Sequence, residues 1–169
     1  MPTSSSLAKD KASPSEQASA FSGKNSNKEL VEGKALPSNQ DAEQGLLAAC
    51  IVDTSGEVMG RCMEQSIGPD HFYHHSHQLI YEALLDLHQD NQEADEILLA
   101  ERLSTNGHLE NVGGQEALIQ LTSRIDTTAH APYWLDIVKQ KALLRKCIYV
   151  AFEIIDGANQ LQGRSLIHI

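Results

Sequence analysis

The sequence predicts an all-α fold: a compact bundle of about five short helices, followed by one long helix that forms the first arm of a helical hairpin. Three observations lead there. With only 5 prolines, 11 glycines and 5% aromatic residues in 169, the chain is poor in helix breakers and in the residues that favour strands. Apolar residues recur three and four positions apart in successive short blocks. Polar capping residues and glycines punctuate those blocks at the places where helices start and stop. The length suits one core of ordinary size plus a tail.

Residues 1–36 are rich in Ser, Lys, Ala and Asn, with Phe21 as the sole aromatic residue, so little apolar surface offsets the entropy of ordering. They are expected to form a disordered polar tail. From Pro37 the pattern becomes helical. Leu46, Leu47, Cys50 and Ile51 mark a first helix from about Gln40 to Val52. Thr54 and Glu57 have capping-box spacing, and Val58, Met59, Cys62 and Met63 give a second helix ending near Ser66. Beyond Gly68-Pro69, Leu79, Ile80, Ala83, Leu84 and Leu87 mark a third helix from about His75 to Gln89.

Asp95 is placed to cap a fourth helix carrying Ile97, Leu98, Leu99 and Leu103, and Asn106-Gly107 supplies its left-handed stop. Gly113-Gly114 opens a fifth helix with Ala117, Leu118, Leu121 and Ile125. Pro132 suits the first turn of the last helix. The pattern then continues to Gly157, about 25 residues or roughly 38 Å.

Along that helix Trp134, Ile137, Lys141, Leu144, Ile148, Ala151 and Ile155 alternate three and four apart, a seam with one polar member. A seam requires a partner helix. Trp134, Ile137, Lys141, Leu144, Ile148 and Ile155 are therefore the candidate subunit or partner interface, although core packing is the favoured role for Trp134 itself. Gly157, Asn159 and Gly163 read as turn residues, so residues 161–169 are expected to open the second hairpin arm or to be a truncated or foreign tail.

Charge and motifs exclude several functions. The net charge of -10 repels phosphate, and the local basic stretch Lys139, Lys141, Arg145 and Lys146 is short, so tight nucleic-acid binding by this domain alone is not expected. No glycine-rich phosphate loop ending in Gly-Lys and a hydroxyl residue is present, and no nucleotide cofactor is expected here. No Gly-x-Ser-x-Gly elbow occurs either.

The cluster His71, His74, His75 and His77 admits a metal reading from its spacing, but a position at a helix start fits capping and packing better. Asp86, Asp90, Glu93, Asp95 and Glu96 read as a solvated face rather than a cation site. Cys50, Cys62 and Cys147 lack metal or redox spacing and are expected to be buried thiols in a reducing cytoplasm. No apolar run approaches the roughly 18 residues of a membrane span.

The ordered succession of short segments resembles the N-terminal domain of bacterial replicative DNA helicases of the DnaB family. The resemblance extends from Leu36 to Arg145. It is carried by Leu36-Pro37, Ala42-Glu43-Gln44, Leu46-Leu47 and Asp53, then by Pro69-Asp70-His71-Phe72-Tyr73 with His77 and Leu79-Ile80-Tyr81. Asp95, Leu99 and Leu103 follow, then Gly107-His108-Leu109-Glu110-Asn111-Val112-Gly113-Gly114, and finally Ala129, Tyr133, Ile137-Val138, Lys141 and Leu143-Leu144-Arg145.

The resemblance implies a collar domain whose helical hairpins pair between subunits of a hexameric ring and which takes part in recruiting primase, with a helicase loader as a further partner. It also implies a parent protein that unwinds duplex DNA with ATP and magnesium through a motor domain absent from this sequence. The competing readings are the helicase-binding C-terminal domain of a primase, and a small metalloprotein built on the histidine cluster. The motif order favours the helicase.

Overall fold

The computed structural model describes the backbone of residues 35–165 and the side chains of residues 35–161. Nearly all of the expected polar tail, and the segment Leu166–Ile169, lie outside the described residues. The tail's expected boundary is corrected at one point: Leu36 is buried in the core.

Six α-helices and no strands are found among the described residues: α1 Gln40–Val52, α2 Glu57–Glu64, α3 His75–Gln89, α4 Glu96–Thr105, α5 Gly114–Thr122 and α6 Ala131–Ser165. Short 3-10 turns at Pro69–His71, Glu110–Val112 and Thr128–His130 precede α3, α5 and α6.

Helix α1 is the hub, because it packs against α3, α5 and α6 at once. A helix surrounded in this way needs apolar or small residues on every side. Its sequence supplies them: Leu46, Leu47, Ala48 and Ala49 are wholly buried, with Ala42, Cys50 and Ile51 close to it. Asn39 starts the helix by accepting the Ala42 amide at 2.9 Å, an N-cap of the usual kind.

The Thr54–Glu57 capping box expected for α2 does not form. Gly56 sits at the cap with φ of +71°, and the Asp53 carboxylate reaches forward to accept the amides of Ser55 at 3.1 Å and Val58 at 2.7 Å. A carboxylate is a stronger acceptor than a hydroxyl and suits the positive end of the helix, so Asp53 takes the role. Burial raises the Asp53 carboxyl's proton affinity, but bonds from Ser55 and Val58 outweigh it and hold the group below its ordinary value.

The remaining helices follow their signals. In α3, Leu79, Ile80, Tyr81, Ala83, Leu84 and Leu87 are buried. The Tyr81 ring lies 4.8 Å from that of Phe72, and its hydroxyl donates to the Ile67 carbonyl at 3.2 Å. Asp95 caps α4 through the Leu98 amide at 2.7 Å, and Leu99 and Leu103 are its fully buried members. Ile97 is 70% exposed, since the three consecutive large apolar residues Ile97, Leu98 and Leu99 cannot share a face. Gly113 and Gly114 have φ of +95° and +74°, a conformation glycine adopts without the steric cost a side chain brings.

Two expectations fail at the C-terminal end. The turn anticipated at Gly157–Gly163 is absent: α6 runs unbroken for 35 residues to Ser165, a rod of about 52 Å. A glycine inside a helix costs only about 1 kcal/mol, and no proline is present to force a break. Residues 161–165 therefore extend the first rod rather than open a second arm. The other correction concerns Cys147, which is exposed while Cys50 and Cys62 are buried, because α6 has left the body by that point.

Helix α6 can approach α1 because of one glycine. A Cβ placed on Gly45 would lie 2.6 Å from two carbons of the Trp134 ring, inside van der Waals contact. Gly45→Ala is predicted to force the indole out of place and destabilise the fold by about 1–3 kcal/mol, measured as a shift in the urea midpoint without a large change in slope.

Candidate assembly face on the long helix

Helix α6 presents two faces in succession. From its start, Ala131, Leu135 and Val138 are buried against the body, with Trp134 and Ile137 packed beside them. The spacing is that of one helical stripe. This stripe ends at Arg145, which is only 4% exposed and is the last buried residue of α6 whose side chain is described.

Arg145 fastens the helix to two distant segments. Its guanidinium donates to the carbonyl of Pro37 at 2.8 Å and to that of His71 at 2.6 Å, and it lies 5.8 Å from the centre of the Tyr73 ring. The planar fork of an arginine can serve two acceptors at once, which a lysine cannot match. Burial lowers its proton affinity, countered most by the charge of Glu43. It remains a cation under all ordinary conditions.

Glu43 holds the other side of this junction. Its carboxylate is 2% exposed and accepts the Tyr73 amide at 2.9 Å, the His74 amide at 3.4 Å and His77 Nδ1 at 2.7 Å. Because a carboxylate only accepts, Nδ1 of His77 carries the proton. Burial by itself would raise the Glu43 carboxyl, but the bonds from His77 and from the Tyr73 amide prevail and hold it below its ordinary value.

Three of the four clustered histidines make contacts within the chain, while His75 is exposed. His77 serves Glu43, His71 Nδ1 accepts the Gly68 amide at 3.1 Å, and the His74 ring sits edge-on to those of Tyr73 and His77. Among the described residues, no three His, Cys, Asp or Glu side chains are arranged to hold a metal ion. The acidic group is also spoken for in part: Asp90 pairs with Arg102 at 2.6 Å, Asp95 caps α4, and Glu96 accepts the Thr122 hydroxyl at 2.8 Å.

From Leu143 onward, on the side away from Arg145, the helix carries its apolar residues into solvent. Leu143, Leu144, Val150, Ile154, Ile155 and Leu161 are between 44% and 69% exposed. At about 100° per residue they fall on one side of the rod, together with Cys147, Ile148 and Ala151. The six expected seam residues divide accordingly. Trp134 and Ile137 belong to the chain's own core, Lys141 and Ile148 are half-buried, and Leu144 and Ile155 lie on the exposed face.

Leu143, Val150, Ile154 and Leu161 were missed by the seam reading. Their signal was present in the sequence as a second row, one residue offset, with intervals of seven, four and seven. A single a/d row hides it, because a straight α-helix drifts relative to a strict heptad and broadens the face.

With that geometry in view, the relatives can be compared. Residues 35–140 match the sequence profile described as the DnaB-like helicase N terminal domain. The chain belongs to this family. It is 32% identical over 126 residues to the replicative DNA helicase DnaC of Bacillus subtilis (strain 168), covering 75% of this chain and 27% of that protein. It is also 32% identical over 123 residues to the replicative DNA helicase DnaB of Mycobacterium leprae (strain TN), covering 73% of this chain and 20% of that one. The chain thus spans only about a fifth to a quarter of the length of these DnaB-family helicases.

The fold agrees. The crystal structure of the N-terminal domain of DnaB helicase from Mycobacterium tuberculosis superposes with a TM-score of 0.69 at 31% identity, covering 73% of this chain and 84% of that one. A structure of a DnaB-like replicative helicase and its interactions with primase matches with a TM-score of 0.61 at 25% identity, over 72% of this chain and 27% of the other. No described helix of this DnaB-type domain is long and apolar enough to cross a membrane.

The Glu43 junction makes a pH dependence. Its folded value lies below the ordinary 4.5, so its contribution to stability is complete above about pH 4.5 and is lost as pH falls through the lowered folded value. Thermal unfolding followed between pH 6 and pH 3, as an order-of-magnitude window for a carboxylate, should show a falling midpoint that Glu43→Gln flattens. Glu43→Ala should cost about 3 kcal/mol near neutrality, because buried donors lose a charged acceptor.

Proposed function

We propose that this domain is an assembly and docking module of a replicative DNA helicase. It contributes contacts between subunits of a hexameric ring and a surface for primase. In the full-length protein the unwinding of duplex DNA, with ATP and magnesium, belongs to a separate motor domain, and a helicase loader is a further partner. Membership of the DnaB-type family supports the setting, and the relative whose structure describes interactions with primase supports the partner.

The observation that carries the assembly role is the exposed apolar face of α6. Six large apolar side chains in solvent along one rod form a patch that an isolated soluble chain would not normally keep uncovered. A helix of a second copy covers it at little cost, since helices with three-and-four spacing interdigitate along their length. The body supplies rigidity and the rod supplies contact. The candidate set is accordingly Leu144, Ile148 and Ile155 with Leu143, Val150, Ile154 and Leu161 added. Trp134 and Ile137 act indirectly, by holding the rod to the body.

Introducing charge into this face tests the reading. Val150→Asp with Ile154→Asp is expected to leave the body's circular dichroism and unfolding midpoint intact while weakening self-association at least about a hundredfold, read by sedimentation equilibrium. Equal association by variant and parent chain would refute the assembly role. Calorimetric titration with a purified bacterial primase tests docking separately, and absence of heat and of co-sedimentation would remove that part of the proposal.

A further inference from the structure

Each arginine of the globular body is matched by a carboxylate. Arg61 meets Glu57 at 2.6 Å, Arg102 meets Asp90 at 2.6 Å, and Arg124 approaches Asp41 at 3.8 Å. The long helix breaks that pattern. Among the described residues, no carboxylate lies within ion-pair distance of Lys139, Lys141, Arg145 or Lys146. These four cations fall within about two turns of one helix, in a chain whose net charge is -10.

Three of them border a single concavity. Between α6 and the Pro69–His71 turn the surface encloses about 430 Å³, lined by His71, Lys139, Leu143, Arg145, Lys146 and Tyr149. Asp70, whose side chain is largely exposed, lines one edge of it as a carboxylate. The Arg145 hydrogen bonds described above go to neutral carbonyls, while the charges of Glu43 and Asp70 act on it from nearby, so the reachable cations of the hollow are Lys139 and Lys146.

We infer that this concavity docks an acidic segment of a partner protein. Carboxylates of the segment meet Lys139 and Lys146 at the rim, and an apolar side chain of the segment rests on Ala142 and Tyr149. The inference rests on reading the domain as a docking module and adds the chemistry of one partner surface.

A peptide fits better than a nucleic acid. Strong phosphate binding needs many neutralised charges along an extended track, whereas here a few cations surround a compact hollow within an acidic molecule. A second copy of this chain is the less fitting protein occupant. The large exposed side chains it would present are apolar, its flanking Glu153 stands outside the hollow, and the cations lie on the flank of α6 between the body and that face.

The test uses the full chain and a fluorescein-labelled peptide of alternating glutamate and leucine, followed by fluorescence anisotropy. A glutamine–leucine peptide and a single-stranded oligothymidylate serve as competitors. The chain should bind the glutamate peptide, weaken with added salt, and lose at least about tenfold in affinity in K139E/K146E. Glu101→Lys, on the exposed side of α4, should change affinity little. Circular dichroism of the double variant should match that of the parent chain.

Three results overturn the inference: no binding of the glutamate peptide, equal binding of the glutamine peptide, or preference for the oligothymidylate. Loss of self-association in K139E/K146E without peptide binding would assign the concavity to a second copy instead, and also overturns it. The two proposals fail separately. Peptide binding with no self-association in the parent chain would sink the assembly reading alone.

Discussion

The attachment of α6 to the body governs what the rest of the molecule can do, and Arg145 is where that attachment ends. Before it, the helix is part of a core. After it, the same helix is a rod with an apolar side and nothing from the described chain to cover it. The guanidinium bonds to Pro37 and His71 join the entry of the domain, the turn before α3 and the long helix at one point. Glu43 reinforces that point from α1 through Tyr73, His74 and His77. The direction in which the rod leaves the body is thus set by a polar junction, while apolar burial supplies most of the stability.

Such a junction suits an assembly module better than an apolar contact would. Apolar packing is tolerant of small slides, whereas hydrogen bonds to fixed carbonyls are directional and lose strength when misaligned. A rod that must meet another rod in register benefits from a fixed angle at its base. The tight seat of Trp134 on Gly45 serves the same end at the other end of the contact, since the ring can approach only where no Cβ stands.

Much of this was legible in the sequence, and the exceptions have physical causes. All six helices were marked by apolar spacing, and Asp95, Pro132 and the Gly113-Gly114 pair acted where their chemistry places them. Periodicity reports which side of a helix is apolar, but not what covers it. It therefore grouped Trp134 and Ile137, which the body covers, with Leu144 and Ile155, which it does not. The offset row through Leu143, Val150 and Ile154 was hidden because a single heptad row is narrower than the apolar face of a straight helix. Gly157 was read as a stop because glycine often ends helices, yet without a proline or a capping arrangement its cost is small beside the continuing turns on either side. The junction of Glu43 with Arg145 was invisible, because it depends on residues far apart in the chain whose charges resemble ordinary surface charges until burial is known.

The central claim is that the outer half of α6 mates with a second α6. Cys147 lies on that face and is the exposed member of the three cysteines, so it can carry a nitroxide label without disturbing the core. Measurement of dipolar coupling between labelled chains tests the claim directly. Pairing along the apolar face, with helix axes about 8–10 Å apart, predicts a population of short label separations, within about 20 Å, that vanishes on dilution. Labels that show no coupling at concentrations where the chains sediment as oligomers would place the contact elsewhere and contradict the account.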